Sequence, residues 1–206
     1  MTTKERILES AIGLFNRFGY VNVRLQYIAD EANLSIGNLA YHFKTKEAIF
    51  EAIYYNLEKE QKILLTDLRL VPLFENINNH LKDTFRLYQK YSFFYSDTLE
   101  IIRSFPKIKK QYREYTKWYI AQIETLIAFN VSRGVFDEGK INDQITALAE
   151  LYWMVIELWL YQSRIRGVDM ILEKDFINTV WSVFLPYLSE VGQTEFMQIG
   201  NMDFLK

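Results

Sequence analysis

Asn38, Tyr41, His42 and Lys46 crowd one short stretch, and each offers a different hydrogen-bonding group. The carboxamide of Asn38 holds a donor and an acceptor together, the pattern that pairs with the edge of adenine. Tyr41 and His42 can hydrogen-bond phosphate oxygens, contacts that position a protein without specifying sequence. Lys46 offers a positive charge to a phosphate, and helix N-termini add backbone N–H donors. Gly37 has no side chain and lets the backbone approach a surface closely. Ile36 and Ala40 could touch only thymine methyls or sugars. Singly, these residues are unremarkable: an exposed Tyr-His pair is ordinarily plain surface, and one lysine is ordinarily solvated. It is their combination that points to nucleic acid.

The segment that must position them is Arg24–Phe43, RLQYIADEANLSIGNLAYHF. It reads as helix, tight turn, short helix. Asn33 can take the left-handed conformation that ends a helix. Ser35 can cap the next helix through its hydroxyl. Leu34 and Leu39 fit a hydrophobic staple that fixes the entry angle. At roughly 100° per residue, Leu39 and Phe43 fall on one side, toward the core. Gly37 and Tyr41 fall almost opposite, Asn38 and Ala40 flank them, and Ile36 and His42 sit nearer the edges. In a helix-turn-helix of this kind the second helix enters the major groove and the first crosses the backbone.

Around this segment the apolar residues recur at spacings of three and four, and no stretch alternates with period two. Helices are expected over Thr3–Phe18, Arg24–Ala32, Ile36–Phe43 and Lys46–Leu70. Further helices are expected near 73–90, 93–103, 106–133, 142–166 and 172–190. Thr2 and Glu5 fit a capping box, Gly19 a C-terminal cap, and Pro72 and Pro106 helix boundaries. The segment 192–206 is mixed in type and is expected to be partly disordered. The fold class is therefore all-α, with about nine helices. A helix-turn-helix head over 1–47 precedes a larger helical body over 48–206.

Composition narrows the function further. The 206 residues contain no cysteine, which excludes disulfides, Cys-ligated zinc and a thiol nucleophile. No secretory signal opens the chain, and the longest apolar run, Leu151–Tyr161, is interrupted by Glu157 and is too short to span a bilayer. A cytoplasmic protein with no membrane association is expected. Net charge is −2, with +1 in the first 50 residues and −3 in the rest. That balance argues against a non-specific DNA coat but leaves a local DNA footprint open. His42 and His80 lie far apart, and no metal-ligand cluster, phosphate loop or nucleophile motif is present. No cofactor or metal is expected. Glu150 and Glu157, seven apart, could share a helix face for acid–base work; nothing else supports an enzyme.

The opening 50–55 residues resemble the N-terminal domain of tetracycline-repressor-type (TetR) regulators. The matching residues are Lys4-Glu5-Arg6-Ile7-Leu8, Ala11, Leu14-Phe15, Phe18-Gly19-Tyr20, Ile28-Ala29 and Ala32. The pattern continues through Leu34-Ser35, Gly37, Leu39, Tyr41-His42-Phe43 and Lys46-Glu47-Ala48. The resemblance implies a two-fold dimer, a transcriptional regulator that reads a palindromic double-stranded operator. It also implies a C-terminal body that binds a small effector and dimerises. By position, Gln26, Gly37, Asn38, Tyr41, His42 and Lys46 match the family's DNA contacts. The family often has Ser or Thr where Arg24 stands, Lys where Ile36 stands and Tyr where Ala40 stands. These departures bear on operator sequence, and with few charges on the reading helix Arg24 and Lys44 are expected to share the phosphate contacts.

In the body, Ile145–Tyr161 is apolar nearly all round and should be buried on most sides. Phe176, Val180, Phe184 and Tyr187 form one stripe on the last long helix, and the dimer interface is expected there. Aromatic residues crowd this region. Tyr91, Trp118, Tyr119 and Trp153, with Gln122, Glu150, Glu157 and Asn130 as polar groups, are candidates for an effector site. An apolar or aromatic effector is expected; a buried carboxylate needs a partner, which a cation could supply. The basic stretch from Arg103 to Lys117 reads as a solvated helix face. Two other readings stay open: control by a protein partner instead of a small ligand, and a helical binding module that has lost DNA binding.

Overall fold

A computed structural model describes residues 1–168 and 170–199. The head is built from α1 (Thr3–Phe18), α2 (Leu25–Glu31) and α3 (Ile36–His42), and α4 (Lys46–Leu70) leads out of it. The local signals act as the sequence implies. Thr2 accepts from the Glu5 amide at 3.2 Å while the Glu5 carboxylate accepts from the Thr2 amide at 2.7 Å. Asn33 takes φ +53 between α2 and α3. The Ser35 hydroxyl accepts from the Asn38 amide at 3.1 Å, and Thr45 caps α4 in the same way through Ala48. Ile7, Ala11, Phe15, Ile28, Ala29 and Leu39 are fully buried and hold the three short helices together.

The body continues with α5 (Phe74–Lys90), α6 (Ser92–Ser104), α7 (Pro106–Ser132) and α8 (Glu138–Ile141). It ends with α9 (Ile145–Ile165), α10 (Glu173–Phe184) and α11 (Glu190–Gln198). Among the described residues there is no strand; an isolated antiparallel bridge joins Phe136 and Leu188. Helix α7 packs on α4, α6 and α9, α6 packs on α9, α5 packs on α4, and α10 lies across α5 and α9.

Two expectations need correction. The helix expected over 172–190 ends at Phe184 and passes into a 3₁₀ turn, Leu185–Tyr187. Pro186 is the cause, because it has no N–H to continue the ladder. The segment 192–206, expected to be partly disordered, begins within α11, while 200–206 lie outside the described residues. Phe196 is buried against Trp181, with ring centroids 5.0 Å apart. Gly192 allows this docking: a Cβ there would lie 2.0 Å from the Val135 carbonyl oxygen. An ion pair, Arg133 to Glu195 at 2.6 Å, adds to it.

The second correction concerns the stripe expected to face a second subunit. Phe176, Val180 and Phe184 are buried in their own chain, and Tyr187 is half-buried in the 3₁₀ turn. Phe176 packs on Phe85, Tyr88 and Trp159; Phe184 packs on Phe136, Tyr152 and Trp181. An apolar stripe reports burial but not the partner. The apolar surface left open lies on α9, where Leu151, Met154, Leu158, Tyr161 and Ile165 are 42–68% exposed. Their spacing of three and four is the seam of a helix made to pack on another helix.

Head and body are joined by ring packing and by one amide. Tyr20 meets Phe105 edge-on at 5.5 Å, and Phe15 meets Phe93 edge-on at 5.4 Å. Asn16 of α1 reaches the turn between α5 and α6. Its Nδ2 donates to the Lys90 carbonyl at 2.9 Å, and its Oδ1 accepts from Ser92 Oγ and the Phe93 amide, each at 3.0 Å. Phe93 N–H is one of the free donors at the start of α6, so a head residue caps a body helix from across the chain.

Candidate nucleic-acid interface

The reading helix α3 is short and almost wholly on the surface. Leu39 is its buried anchor, and Phe43 follows half-buried against the same core. Tyr41 is 84% exposed, and Ile36, Gly37 and Asn38 are exposed with it. His42 is half-exposed, its ring edge-on to Tyr41 at 5.2 Å. The angular arrangement is thus the one the wheel predicts: one inward tooth and a polar, lightly charged outer face.

Gly37 adds an informative detail. A Cβ built there meets nothing closer than Ser35 Oγ at 4.0 Å, so the fold has room for a side chain. A glycine inside a helix costs about 0.5–1 kcal/mol relative to alanine, an upper bound for Gly37 in the first turn of α3. The chain therefore gains nothing internally from this glycine.

Arg24 and Gln26 stand at the start of α2, both exposed, with Gln26 Nε2 donating to Asp30 at 2.7 Å. Lys44 is exposed beyond α3. Tyr27, beside Gln26, is 47% exposed and is a residue the sequence does not single out.

Lys46 is placed differently from the expectation. Its ammonium turns inward and donates to the carbonyls of Tyr20, Val21 and Val23 at 2.9, 3.4 and 2.8 Å. It also sits 4.2 Å over the Tyr20 ring, a cation–π contact. Burial lowers its pKa. Lys46 therefore ties the first turn of α4 to the loop that precedes α2, and its donors are not free for a phosphate. Sequence type could not show this, because the partners are backbone oxygens.

The effector candidates of the body separate into distinct places. Glu157 is 6% exposed and accepts a hydrogen bond from the Tyr112 hydroxyl, with Tyr88 supplying a second hydroxyl. Burial pushes its carboxyl up to about 7 against the pull of those hydroxyls. Tyr119 is buried nearby on α7, Trp118 and Gln122 are half-buried, and Trp153 is half-buried with its indole N–H inside.

Other candidates fall away. Glu150 is exposed, so the two glutamates do not form a pair. The angular position they share is covered at 157 by tyrosines and left open at 150. Tyr91 is buried at the α5–α6 turn and donates to Glu60 at 2.8 Å, away from Glu157. Asn130 is occupied structurally: it donates to the Pro72 and Leu126 carbonyls and accepts from Arg133. Among the described residues no helix is long and apolar enough to cross a membrane, and no cluster of three or more His, Asp or Glu could hold a metal.

A three-helix head with an outward second motif helix, joined to a larger helical body, defines a helix-turn-helix regulator. Comparison with known proteins agrees at full length. The model of the tetR family of bacterial regulatory proteins matches residues 7–53, and that of the bacterial transcriptional repressors named TetR matches 66–196. The chain belongs to the TetR family of DNA-binding transcriptional regulators, which act as dimers on operator DNA and are not enzymes.

Among its relatives is IcaR of Staphylococcus aureus (strain Newman), a negative transcriptional regulator of the biofilm operon icaADBC. The two are 26% identical over 193 residues, 88% of this chain and 98% of that one. RutR of Escherichia coli (strain K12) is 42% identical over 50 residues, 24% of each chain. The crystal structure of a TetR-family regulator from Marinobacter aquaeolei VT8 superposes with a TM-score of 0.84 at 27% identity. That match covers 97% of this chain and 98% of the other.

Proposed function

We propose that this regulator is a repressor that a small apolar or aromatic effector releases from a palindromic operator. The observation that carries the DNA half of the reading is the outer face of α3. Its glycine has no internal cause, and its tyrosine is fully offered to solvent. Asn38 would read a base edge, Gly37 and Ile36 would let the helix lie deep in the groove, and Tyr41 and His42 would hold phosphates. Arg24, Lys44 and Gln26 would bind the flanking backbone. Lys46 would serve indirectly, by fixing the loop behind α2.

The dimer we propose forms through the open seam of α9, Leu151 to Ile165, in place of the buried stripe of α10. It must set the two α3 helices about 34 Å apart, one turn of duplex, or a multiple of it. The functional division falls at residue 47, head before and body after, although α4 crosses that point unbroken. Effector binding among α4 to α9 would favour a spacing that no longer fits the duplex, releasing DNA by population shift.

Selection of bound DNA from a random library tests the reading. An enriched inverted repeat supports it, and recovery of unrelated sequences overturns it. Control by a protein partner would show instead as a regulator whose operator affinity no small molecule changes.

A further inference from the structure

Helix α6 has no cap of its own. Its N-cap residue, Tyr91, makes no side-chain bond to the helix, and the acceptor comes instead from Asn16 of the head. Ser92, the first residue of α6, holds two partners at once. Its hydroxyl donates to Asn16 Oδ1 at 3.0 Å and accepts from Arg164 Nη2 at 3.4 Å. A hydroxyl carries one proton and two lone pairs, so it can serve both. Arg164 stands in the last turn of α9, between Tyr161 and Ile165 of the open seam. The turn before α6 is itself fixed to α4. Glu60 accepts from Lys90 Nζ at 2.7 and 2.9 Å and from the Tyr91 hydroxyl at 2.8 Å. Helices α1, α4 and α9 thus converge on the turn 90–93.

Two kinds of contact hold the head here, and they resist different movements. The ring pairs Phe15–Phe93 and Tyr20–Phe105 keep the head attached, but apolar contact is non-directional and tolerates a small rotation. The hydrogen bonds of Asn16 are directional and weaken steeply with angle. They fix the angle at which the head leaves the body. From Arg164 through Ser92 to Asn16, two bonds link the dimer seam to the head. Small angles matter on DNA: one base pair more in a spacer moves a half-site by about 3.4 Å and turns it by about 34°.

We infer that Asn16, Ser92 and Arg164 are positioning residues that set the spacing of the two α3 helices and so select the spacer length between operator half-sites. This assignment builds on the α9 dimer proposed above and says which residues carry its spacing to the heads. None of the three has to touch DNA. The bases within each half-site are read by α3, and the distance between half-sites is read by this link. A head held by rings alone would swing through a range of angles. It would meet several spacers, each with less avidity than a fixed head gives to one.

The test uses the full chain and operators rebuilt from the library-selected site, with the half-sites fixed and the spacer lengthened or shortened one base pair at a time. The parent should bind one spacer best and lose roughly tenfold or more at its neighbours, where the two heads no longer engage together. Asn16→Ala and Ser92→Ala should flatten that profile, cutting the preference at least about threefold, and Arg164→Met should flatten it less. Ser92→Thr keeps the hydroxyl and should retain the parental profile. Binding to a duplex with a single half-site should be equal in all of them, because α3 is untouched. Arg164→Met alters only an exposed side chain, so it keeps the inference testable if Asn16→Ala folds poorly. A parent that binds all spacers alike overturns the inference, and so does a sharp profile kept in both Ser92→Ala and Arg164→Met. A loss on the single half-site equal to that on the full operator also overturns it, since it marks a weakened head. Leu158→Glu reads the seam separately, by sedimentation. A dimer that survives it removes the α9 interface and the link with it. If Leu158→Glu separates the chains while the profiles stay sharp, the seam stands and the link alone falls.

Discussion

Helix α3 buries one side chain, Leu39, and turns its polar groups to solvent; the Glu157 cluster buries its polar groups and turns nothing out. The two regions use the same side-chain chemistry, tyrosine hydroxyls beside a carboxamide or carboxylate, under opposite dielectric conditions. On α3 the groups keep their water. Around Glu157 the same groups have lost their water, so the charge state itself becomes the variable. A surface site is therefore tuned by which groups it shows, and an interior one by which charge it can tolerate.

The largest expected effect sharpens that contrast through pH. Glu157 is raised to about 7 in the folded chain from a usual value near 4.5. The folded state thus holds a proton that the unfolded state gives up, and stability falls as pH rises from about 4.5 through about 7. Each unit is worth about 1.4 kcal/mol, so the ceiling is about 3 kcal/mol. His80 acts in the opposite sense: burial lowers it to about 4 from near 6.5. It favours folding above 6.5 and destabilises as pH falls from there toward about 4. Between about 4.5 and 6.5 the two oppose, and denaturant unfolding should show a nearly level stability. Glu157→Gln should leave only the His80 slope and should raise stability at pH 8 by up to about 3 kcal/mol. A variant as pH-dependent above 6.5 as the parent would break the comparison.

At α3 the effects should appear in DNA binding with little change in the core. Asn38→Ala should cost about 1–3 kcal/mol at one base step, read as relaxed preference at that position in library selection. A uniform loss over all sequences would move Asn38 from base to backbone. Ser35→Ala removes the cap of a seven-residue helix and should cost about 1 kcal/mol in unfolding experiments. Gly37→Ala is the smallest and the most pointed. It should stabilise the fold by at most about 0.5–1 kcal/mol while weakening operator binding. A more stable variant that binds DNA as well as before would remove the argument from Gly37.

The head was legible because its determinants are local. Asn33, Ser35 and Leu39 each act within a few residues, and all three sit where their chemistry places them. Lys46 was not legible, since three backbone carbonyls from another part of the head capture it. In the body, the apolar pattern located α9 and α10 but could not say which stripe meets its own chain. The sides facing solvent and core are decided by α5 and α7, distant in sequence. The same holds for Glu157 and Glu150, whose fates differ by what lies above them. Pro186 was a readable helix stop, outweighed by the apolar run on either side of it.

The amide of Asn16 has one more implication. Because it accepts from the Phe93 N–H and the Ser92 hydroxyl at the start of α6, the head is not an interchangeable part. A chimera that joins this body to a foreign head lacking an acceptor at that position would leave the Phe93 N–H bare, two residues before Tyr95. Head-swapped hybrids should therefore respond poorly to signals from the body until an asparagine is restored at residue 16.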